Sequence, residues 1–291
     1  MFEGIRSLVA RHKNKALILL AALAVLDALI FAQIGASRSG YKPFAISFLN
    51  VGQGDASLLI FPTGVKMLID GGPPNGRVLA ELEEILPHTD RYLDLVMMSH
   101  PQVDHFGGLI EVVRRYSVGA FLMSVRNGEG EALTELQKVI AERGIRTVTL
   151  GRGDAVRNGA TVASVLSPTP ALLMSKEAND ASMVVEVLSA GVTSLFTGDM
   201  GSKAEAALLP LLPGRIDILK VPHHGSKFAS GAAFLKAVHP VLAVIEVGKN
   251  SYGHPTPEVL ARLAEVGAKI FRTDEGGVTV TADGESLRIF R

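Results

Sequence analysis

Met97-Met98-Ser99-His100-Pro101-Gln102-Val103-Asp104-His105-Phe106-Gly107-Gly108 decides how the rest of this chain is read. The apolar run from Leu93 to Met98 predicts a buried strand, and behind it come three metal-competent side chains, His100, Asp104 and His105. Two glycines then open a helical pattern. A strand end is rigid and the loop after it faces solvent, so this junction is where a site is built. Imidazole beside carboxylate suits zinc, manganese or iron rather than calcium.

Working outward, other loops repeat the arrangement of polar, metal-competent or glycine-rich residues directly after an apolar run. They are Asn50-Val51-Gly52-Gln53-Gly54-Asp55, Asp70-Gly71-Gly72, Thr197-Gly198-Asp199, Lys220-Val221-Pro222-His223-His224-Gly225-Ser226 and Tyr252-Gly253-His254-Pro255. A lone histidine after a strand is usually a surface or capping residue, and a lone Asp-Gly is usually a turn. Here five of the eight histidines fall in these loops, with Asp104 and Asp199 beside them. The joint pattern predicts one site assembled from several strand ends.

The intervening pattern alternates short strands with helices. Strands are expected near 44–51, 56–61 and 65–70, a helix over 77–86, then the strand ending at His100, a helix from Leu109 to Tyr116 and a longer helix over 129–143. The second half alternates in the same way, from strands near 147–150, 161–166, 183–188 and 194–197 to a helix over 257–266 and two closing strands. No internal period suggests a solenoid. Alternating elements with hairpins at both ends imply an α/β class with two sheets covered by helices.

The first 15 residues carry Arg6, Arg11, Lys13 and Lys15 against Glu3, and Ala16 to Ile34 is an apolar run broken by Asp27 and Gln33. Roughly 20 apolar residues span a bilayer as a helix, and the heavier basic flank keeps the N-terminus in the cytoplasm. A cleaved signal peptide ending at Ile34-Gly35-Ala36, or a buried helix of a soluble protein, is the competing reading. Asp27 costs about 2.5–3.5 kcal/mol near a span's centre, which the Leu, Ile and Ala around it offset. The expected organisation is a basic stub and transmembrane signal anchor over 1–36, a polar linker over 37–43 and one extracytoplasmic domain over 44–291.

Composition narrows the function. The 291 residues include no cysteine, which excludes a disulfide framework, a thiolate nucleophile and a cysteine zinc site. Lysine plus arginine (29) equals aspartate plus glutamate (29), and a protein gripping long nucleic acid through charge alone would be more basic.

The order of the loops resembles the metallo-β-lactamase superfamily, whose signature is His-x-His-x-Asp-His after a strand, followed by a bridging Asp and a late His. Within it, Gly52-Gln53-Gly54-Asp55, Asp104-His105-Phe106-Gly107-Gly108, Thr197-Gly198-Asp199, Pro222-His223-His224-Gly225-Ser226 and Gly253-His254-Pro255 resemble the hydrolase domain of ComEC-type competence proteins. The resemblance implies a four-layer α/β/β/α sandwich and a divalent metal, Mn or Zn. It implies metal ligands among His100, Asp104, His105, Asp199, His223 and His254, with Asp104 and His224 catalytic. Lys220, Ser226, Asn179 and Ser182 are the implied substrate contacts. Two departures stand out. Gln102 occupies the place of the second histidine, and no histidine lies between His105 and Asp199, where Asn179-Asp180-Ala181-Ser182 resembles a ComEC-type replacement. One metal site is therefore expected to be well supplied and the other depleted.

The function these readings imply is a membrane-anchored hydrolase using a metal-activated water on phosphodiester bonds of nucleic acid, DNA foremost, in competence-related DNA uptake. The alternatives are a hydrolase of a small ester, lactone or phosphoester, and a degenerate domain that binds DNA or a protein partner without catalysis.

Overall fold

The computed structural model describes residues 15, 17–29, 31, 42–124, 128–212 and 214–291. The chain divides into two units, Met1–Tyr41 and Lys42–Arg291. In the first, residues 17–29 are helical. No helix among the described residues is long and apolar enough to cross a membrane. Part of the expected span, and all of its basic stub up to residue 14, lies outside the described residues.

The second unit opens with a meander of β1 (Phe44–Phe48), β2 (Ser57–Ile60) and β3 (Lys66–Ile69). A helix, Arg77–Ile85, leads to β4 (Tyr92–Met98), the strand of the deciding stretch. Two helices, Val103–Phe106 and Leu109–Arg115, follow before β5 (Ser117–Ser124), and helix Glu131–Glu142 precedes β6 (Arg146–Leu150). Then come β7 (Ala155–Asn158), β8 (Thr161–Ser167), β9 (Val184–Ser189), β10 (Val192–Phe196), β11 (Ile218–Lys220), β12 (Leu242–Ile245), β13 (Lys269–Arg272), β14 (Val278–Ala282) and β15 (Leu287–Phe290).

These strands make two sheets, β15-β14-β1-β2-β3-β4-β5-β6 and β13-β12-β11-β10-β9-β8-β7. The packing of strand β4 explains why its second half, Leu95 to Met98, is continuously apolar rather than alternating. Met97 points between the sheets with Ile69, Leu122, Met183 and Phe196, while Val96 and Met98 pack under the helices with Leu82, Leu109 and Leu136. A strand buried on both faces has no polar side. The second sheet is covered in the same way by Ser202–Leu208, Ala232–Val238 and Pro257–Glu265, which bury Leu208, Phe234, Leu235 and Leu263 against Leu219 and Ala243. The four-layer sandwich expected from the sequence is the architecture of this unit.

Within the first sheet β3, β4 and β5 run parallel, and within the second β10, β11 and β12 do. Their carboxyl ends share an edge in each sheet, and loops at such an edge are where open α/β sheets bind ligands. Two elements differ from the sequence reading. Strand β7 is a short edge strand with Arg157 exposed, too polar to stand out, and the C-terminus forms three strands instead of two.

Candidate metal centre

Asp104 and His105 sit on the one-turn helix Val103–Phe106, which lies within the deciding stretch, in the turn after β4. The loops after β1 and β3 are laid onto that helix: the Asp55 amide donates to the Asp104 carbonyl at 3.3 Å, and the Gly71 amide donates to the His105 carbonyl at 2.7 Å. Gly54 makes the first approach possible. Its φ is +155° and a Cβ there would lie 2.1 Å from the Asp104 carbonyl oxygen, so only glycine fits. From the second sheet, Gly198 and Asp199 follow β10, and the turn Pro222–Gly225 follows β11.

Ligand atoms of Asp55, His105, Asp199 and His224 lie within 4.8 Å of one another, and all four residues are buried. His105 Nε2 is 3.2 Å from Asp199 Oδ1, and His224 Nε2 is 3.5 Å from both Asp199 Oδ2 and Asp104 Oδ2. Both imidazoles are held by the opposite nitrogen. His105 Nδ1 meets Asp70 Oδ2 at 3.0 Å, and His224 Nδ1 donates to the Glu246 carbonyl at 2.8 Å. Asp70 is fixed in turn by the Ser99 amide and hydroxyl, at 2.7 and 2.6 Å.

This arrangement leaves the Nε2 atoms of His100, His105 and His224, together with Asp199 Oδ1, buried with no hydrogen-bond partner among the described residues. Buried polar atoms without partners are costly, and those of His105, Asp199 and His224, which belong to the compact group, fit a cation. An orienting hydrogen bond on the far nitrogen is the usual support of a metal-binding histidine. The residues therefore fit a divalent ion. His105, Asp199 and His224 aim their free atoms at it, Asp104 Oδ2 lies 3.5 Å from His224 Nε2, and Asp55 stands on the Nδ1 side, 3.5 Å from His105 and 3.3 Å from His224.

Charge follows from burial and crowding. Burial alone would lower the His224 pKa, but Asp199 and Asp55 outweigh it and push it up to about 10. His105 is raised for the same reasons. For Asp199, burial opposes ionisation and loses to the His224 and His105 charges, so its carboxyl lies well below the usual range. Asp104 is held at about 2, where burial is outweighed by the adjacent His224 and His105 imidazoles. His100, buried and beside His105, drops to about 4 and stays neutral.

Several sequence expectations change in this geometry. Lys220, expected as a substrate contact, is 2% exposed. Its Nζ pairs with Asp55, donates to the Gly198 carbonyl at 2.9 Å and lies 3.8 Å from Asp199. A short strand ending inside the sandwich turns it inward. Ser182 is fully buried, and its hydroxyl accepts the Asp199 amide at 3.3 Å instead of reaching a substrate. Ser226 is also buried, and its hydroxyl accepts the Phe228 amide at 3.4 Å.

His223 and His224 have φ of +51° and +52°, a strained turn that sends consecutive side chains in different directions. His224, expected as the catalytic partner, joins the buried group, while His223 lies 3.8 Å from Asp199 on the cleft wall. His254 lines the same cleft without belonging to the four-residue group. At the depleted position Gln102 Nε2 donates to Asn179 Oδ1 at 2.5 Å, so the two amides satisfy each other beside His100. Asp55, Asp70 and Glu246 were not among the sequence's site residues. The first two followed apolar runs in loops already singled out, but Glu246 lies in an apolar run and gave no signal.

Imidazoles and carboxylates converging at the edge of a helix-covered double sheet define the metal-dependent hydrolase scaffold of the metallo-β-lactamase type. A profile described as the metallo-beta-lactamase superfamily matches residues 49–248, and the chain belongs to that superfamily. Among curated proteins it is similar to ComE operon protein 3 of Bacillus subtilis, 29% identical over 189 residues, covering 64% of this chain and 24% of the relative. Recombination protein 2 of Haemophilus influenzae is 31% identical over 242 residues, 81% of this chain and 28% of the relative. Competence protein ComA of Neisseria gonorrhoeae is 30% identical over 240 residues, 80% of this chain and 31% of the relative. The chain thus spans less than a third of the length of these curated relatives.

Among solved structures, the metallo-beta-lactamase fold protein YhfI of Bacillus subtilis aligns with a TM-score of 0.54 at 12% identity, covering 79% of this chain and 97% of that one. The diiron beta-hydroxylase CmlA of Streptomyces venezuelae aligns with a TM-score of 0.54 at 13% identity, covering 86% of this chain and 54% of that one. At such identities the likeness is one of fold.

Proposed function

We propose that this protein is a membrane-anchored, metal-dependent phosphodiesterase acting on nucleic acid, DNA foremost, in competence-related DNA uptake. The observation that carries the hydrolytic part is the convergence of unpartnered His105 Nε2, His224 Nε2 and Asp199 Oδ1 beside Asp104, at the floor of an open cleft of about 510 Å³. The cleft is open to solvent, and Gln53, Gln102, Asn179 and His223 bring polar groups to its walls. An apolar enclosed pocket would suit a small ester better. Similarity to proteins named for competence and recombination supports the choice of nucleic acid.

A divalent ion, Mn or Zn, held by Asp104, His105, Asp199 and His224 would supply Lewis acidity, lowering the pKa of a coordinated water from 15.7 to about 7. The chain's own residues do the rest. Asp104, held at about 2, is ionised at neutral pH and orients a cation or water without delivering a proton. His223, whose pKa burial lowers, is neutral and faces the cleft, where it hydrogen-bonds a phosphate oxygen. Lys220 keeps Asp55 and Asp199 neutralised from behind. The Gln102–Asn179 amide pair stands where superfamily members have histidines, so the reading is of one ion, not two.

The anchor rests on the apolar run 16–34 and its basic N-terminal flank, with the domain on the far side of the membrane. The test uses the full chain in detergent, stripped of metal and then given Mn or Zn, with single- and double-stranded oligonucleotides. Metal-dependent cutting abolished by Asp104→Ala and by Asp199→Ala is the expected result. Oligonucleotide binding without cutting, indifferent to both substitutions, would replace this reading with that of a binding module.

A further inference from the structure

Beside the metal cleft lies a second one of about 460 Å³, and the two share His223, Tyr252 and His254 as a common wall. Its remaining lining includes Ser226, Lys227, Phe228, Thr256 and Glu258. Two of these side chains are large, aromatic and open to solvent: Phe228 is 70% exposed and Tyr252 73%. Elsewhere in the described part of the second unit, large aromatic rings mostly pack inward, as Phe44, Phe48, Phe106 and Tyr116 do.

Both rings stand on pinned backbone. The Phe228 amide donates to Ser226 Oγ at 3.4 Å, its carbonyl accepts the Ser202 amide at 3.1 Å, and Arg262 Nη2 donates to the preceding Lys227 carbonyl at 3.4 Å. Tyr252 is held by Asn250, whose Oδ1 accepts the Tyr252 and His254 amides at 3.0 Å each and whose Nδ2 donates to the Gly248 and His254 carbonyls. The Tyr252 ring stacks on His254 at 5.7 Å between centroids with a 30° tilt. Lys227 Nζ stands 5.2 Å from the Phe228 ring centroid.

Exposed rings on a fixed backbone, with a cation beside one of them, form the stacking platform that binds unpaired bases. We propose that this second cleft is a stacking subsite for unpaired nucleotides of a single-stranded polynucleotide whose adjoining phosphodiester lies at the metal centre. The inference rests on the reading of that centre as a phosphodiester hydrolase. It adds a substrate form, because a base inside a duplex has no free face to offer Phe228 or Tyr252. Lys227 supplies the complementary charge, so the chain as a whole need not be basic. Glu258 also lines the cleft and disfavours a phosphate at its own position, which leaves the Lys227 side for the backbone.

The test separates the subsite from the centre. Binding of a fluorescent single-stranded oligonucleotide and of its duplex is measured by anisotropy on the full chain in detergent with chelator present, so that no cutting occurs. Turnover of bis(p-nitrophenyl) phosphate with Mn, a diester too small to need the subsite, reads the centre alone. The single strand should bind tighter than the duplex. Phe228→Ala should weaken single-strand binding about 5- to 100-fold, as expected for one lost base stack. Phe228→Tyr, which keeps the ring, should restore it, and Lys227→Ala should reduce the salt slope by about one. Equal binding of single strand and duplex, no binding, or binding indifferent to Phe228→Ala would overturn the subsite. If the small diester is hydrolysed in that event, the phosphodiesterase reading survives without it. Binding that depends on Phe228 with no diester turnover would leave the subsite and remove the hydrolase.

Discussion

Asp70 lines neither of the two clefts described, yet it fixes the His105 ring at 3.0 Å and is itself fixed by two bonds from Ser99. Removing such an orienting partner costs about 10–100-fold in metal affinity in comparable sites. Asp70→Asn should therefore weaken Mn or Zn binding by that factor, measured by competition with a chromophoric chelator, while Asp70→Glu recovers part of it. The same residues set a pH dependence. In the metal-free protein His224 rises from 6.5 to about 10, so its contribution to stability is complete below pH 6.5 and is lost as pH climbs to about 10. Glu246, raised from 4.5 to about 8 mainly by burial, acts with the same sign over pH 4.5–8. Denaturation of the metal-free protein should show stability falling steadily from pH 6.5 to 10. Metal must displace the His105 and His224 protons, so binding should release protons at neutral pH, seen as a buffer-dependent calorimetric enthalpy.

At the level of elements, the centre exists because the turn after β1, the one-turn helix after β4 and the turns after β10 and β11 meet. Gly54 is the contact point of the first two, and Gly54→Ala would drive a Cβ into the Asp104 carbonyl. The expected outcome is a folded protein with a lower melting temperature and at least tenfold weaker metal binding, because the helix carrying Asp104 and His105 must shift. Lys220 on β11 joins the halves electrostatically through Asp55 and Asp199. Breaking a buried ion pair by removing one partner costs about 3–5 kcal/mol. Lys220→Met should lower stability by that order in urea denaturation, whereas a surface phosphate clamp would leave it unmoved. Much of this level was legible beforehand. Helices Arg77–Ile85, Glu131–Glu142 and Pro257–Glu265 were expected within a few residues at each end, since one-sided burial writes a helical period into the sequence. Strand β7 was not, because an exposed edge strand carries no such pattern.

For the whole molecule, a ligand that binds only the folded state stabilises it by about 2.7 kcal/mol at a hundredfold excess over its Kd. Saturating Mn or Zn should raise the unfolding temperature by several degrees, and a chelator should reverse it, in a thermal shift measurement. No shift with either ion would mean that Asp104, His105, Asp199 and His224 hold no divalent metal.

The sequence by itself determined the two-sheet sandwich and the loops that carry the site, because burial on two faces and ligands behind strand ends are both written along the chain, and the superfamily followed from the resemblance of those loops' motifs. Gln102 already marked the depleted position. Only the tertiary structure decided which of two adjacent histidines turns inward, that Lys220 is a buried counter-charge, and that Asp70 and Glu246 orient the imidazoles. It also decided that Gln102 and Asn179, 77 residues apart, close on each other. The physical reason is the same in each case. A side chain's direction at a turn, and the partner it meets from another strand, depend on distances across the fold that no local pattern of residues encodes.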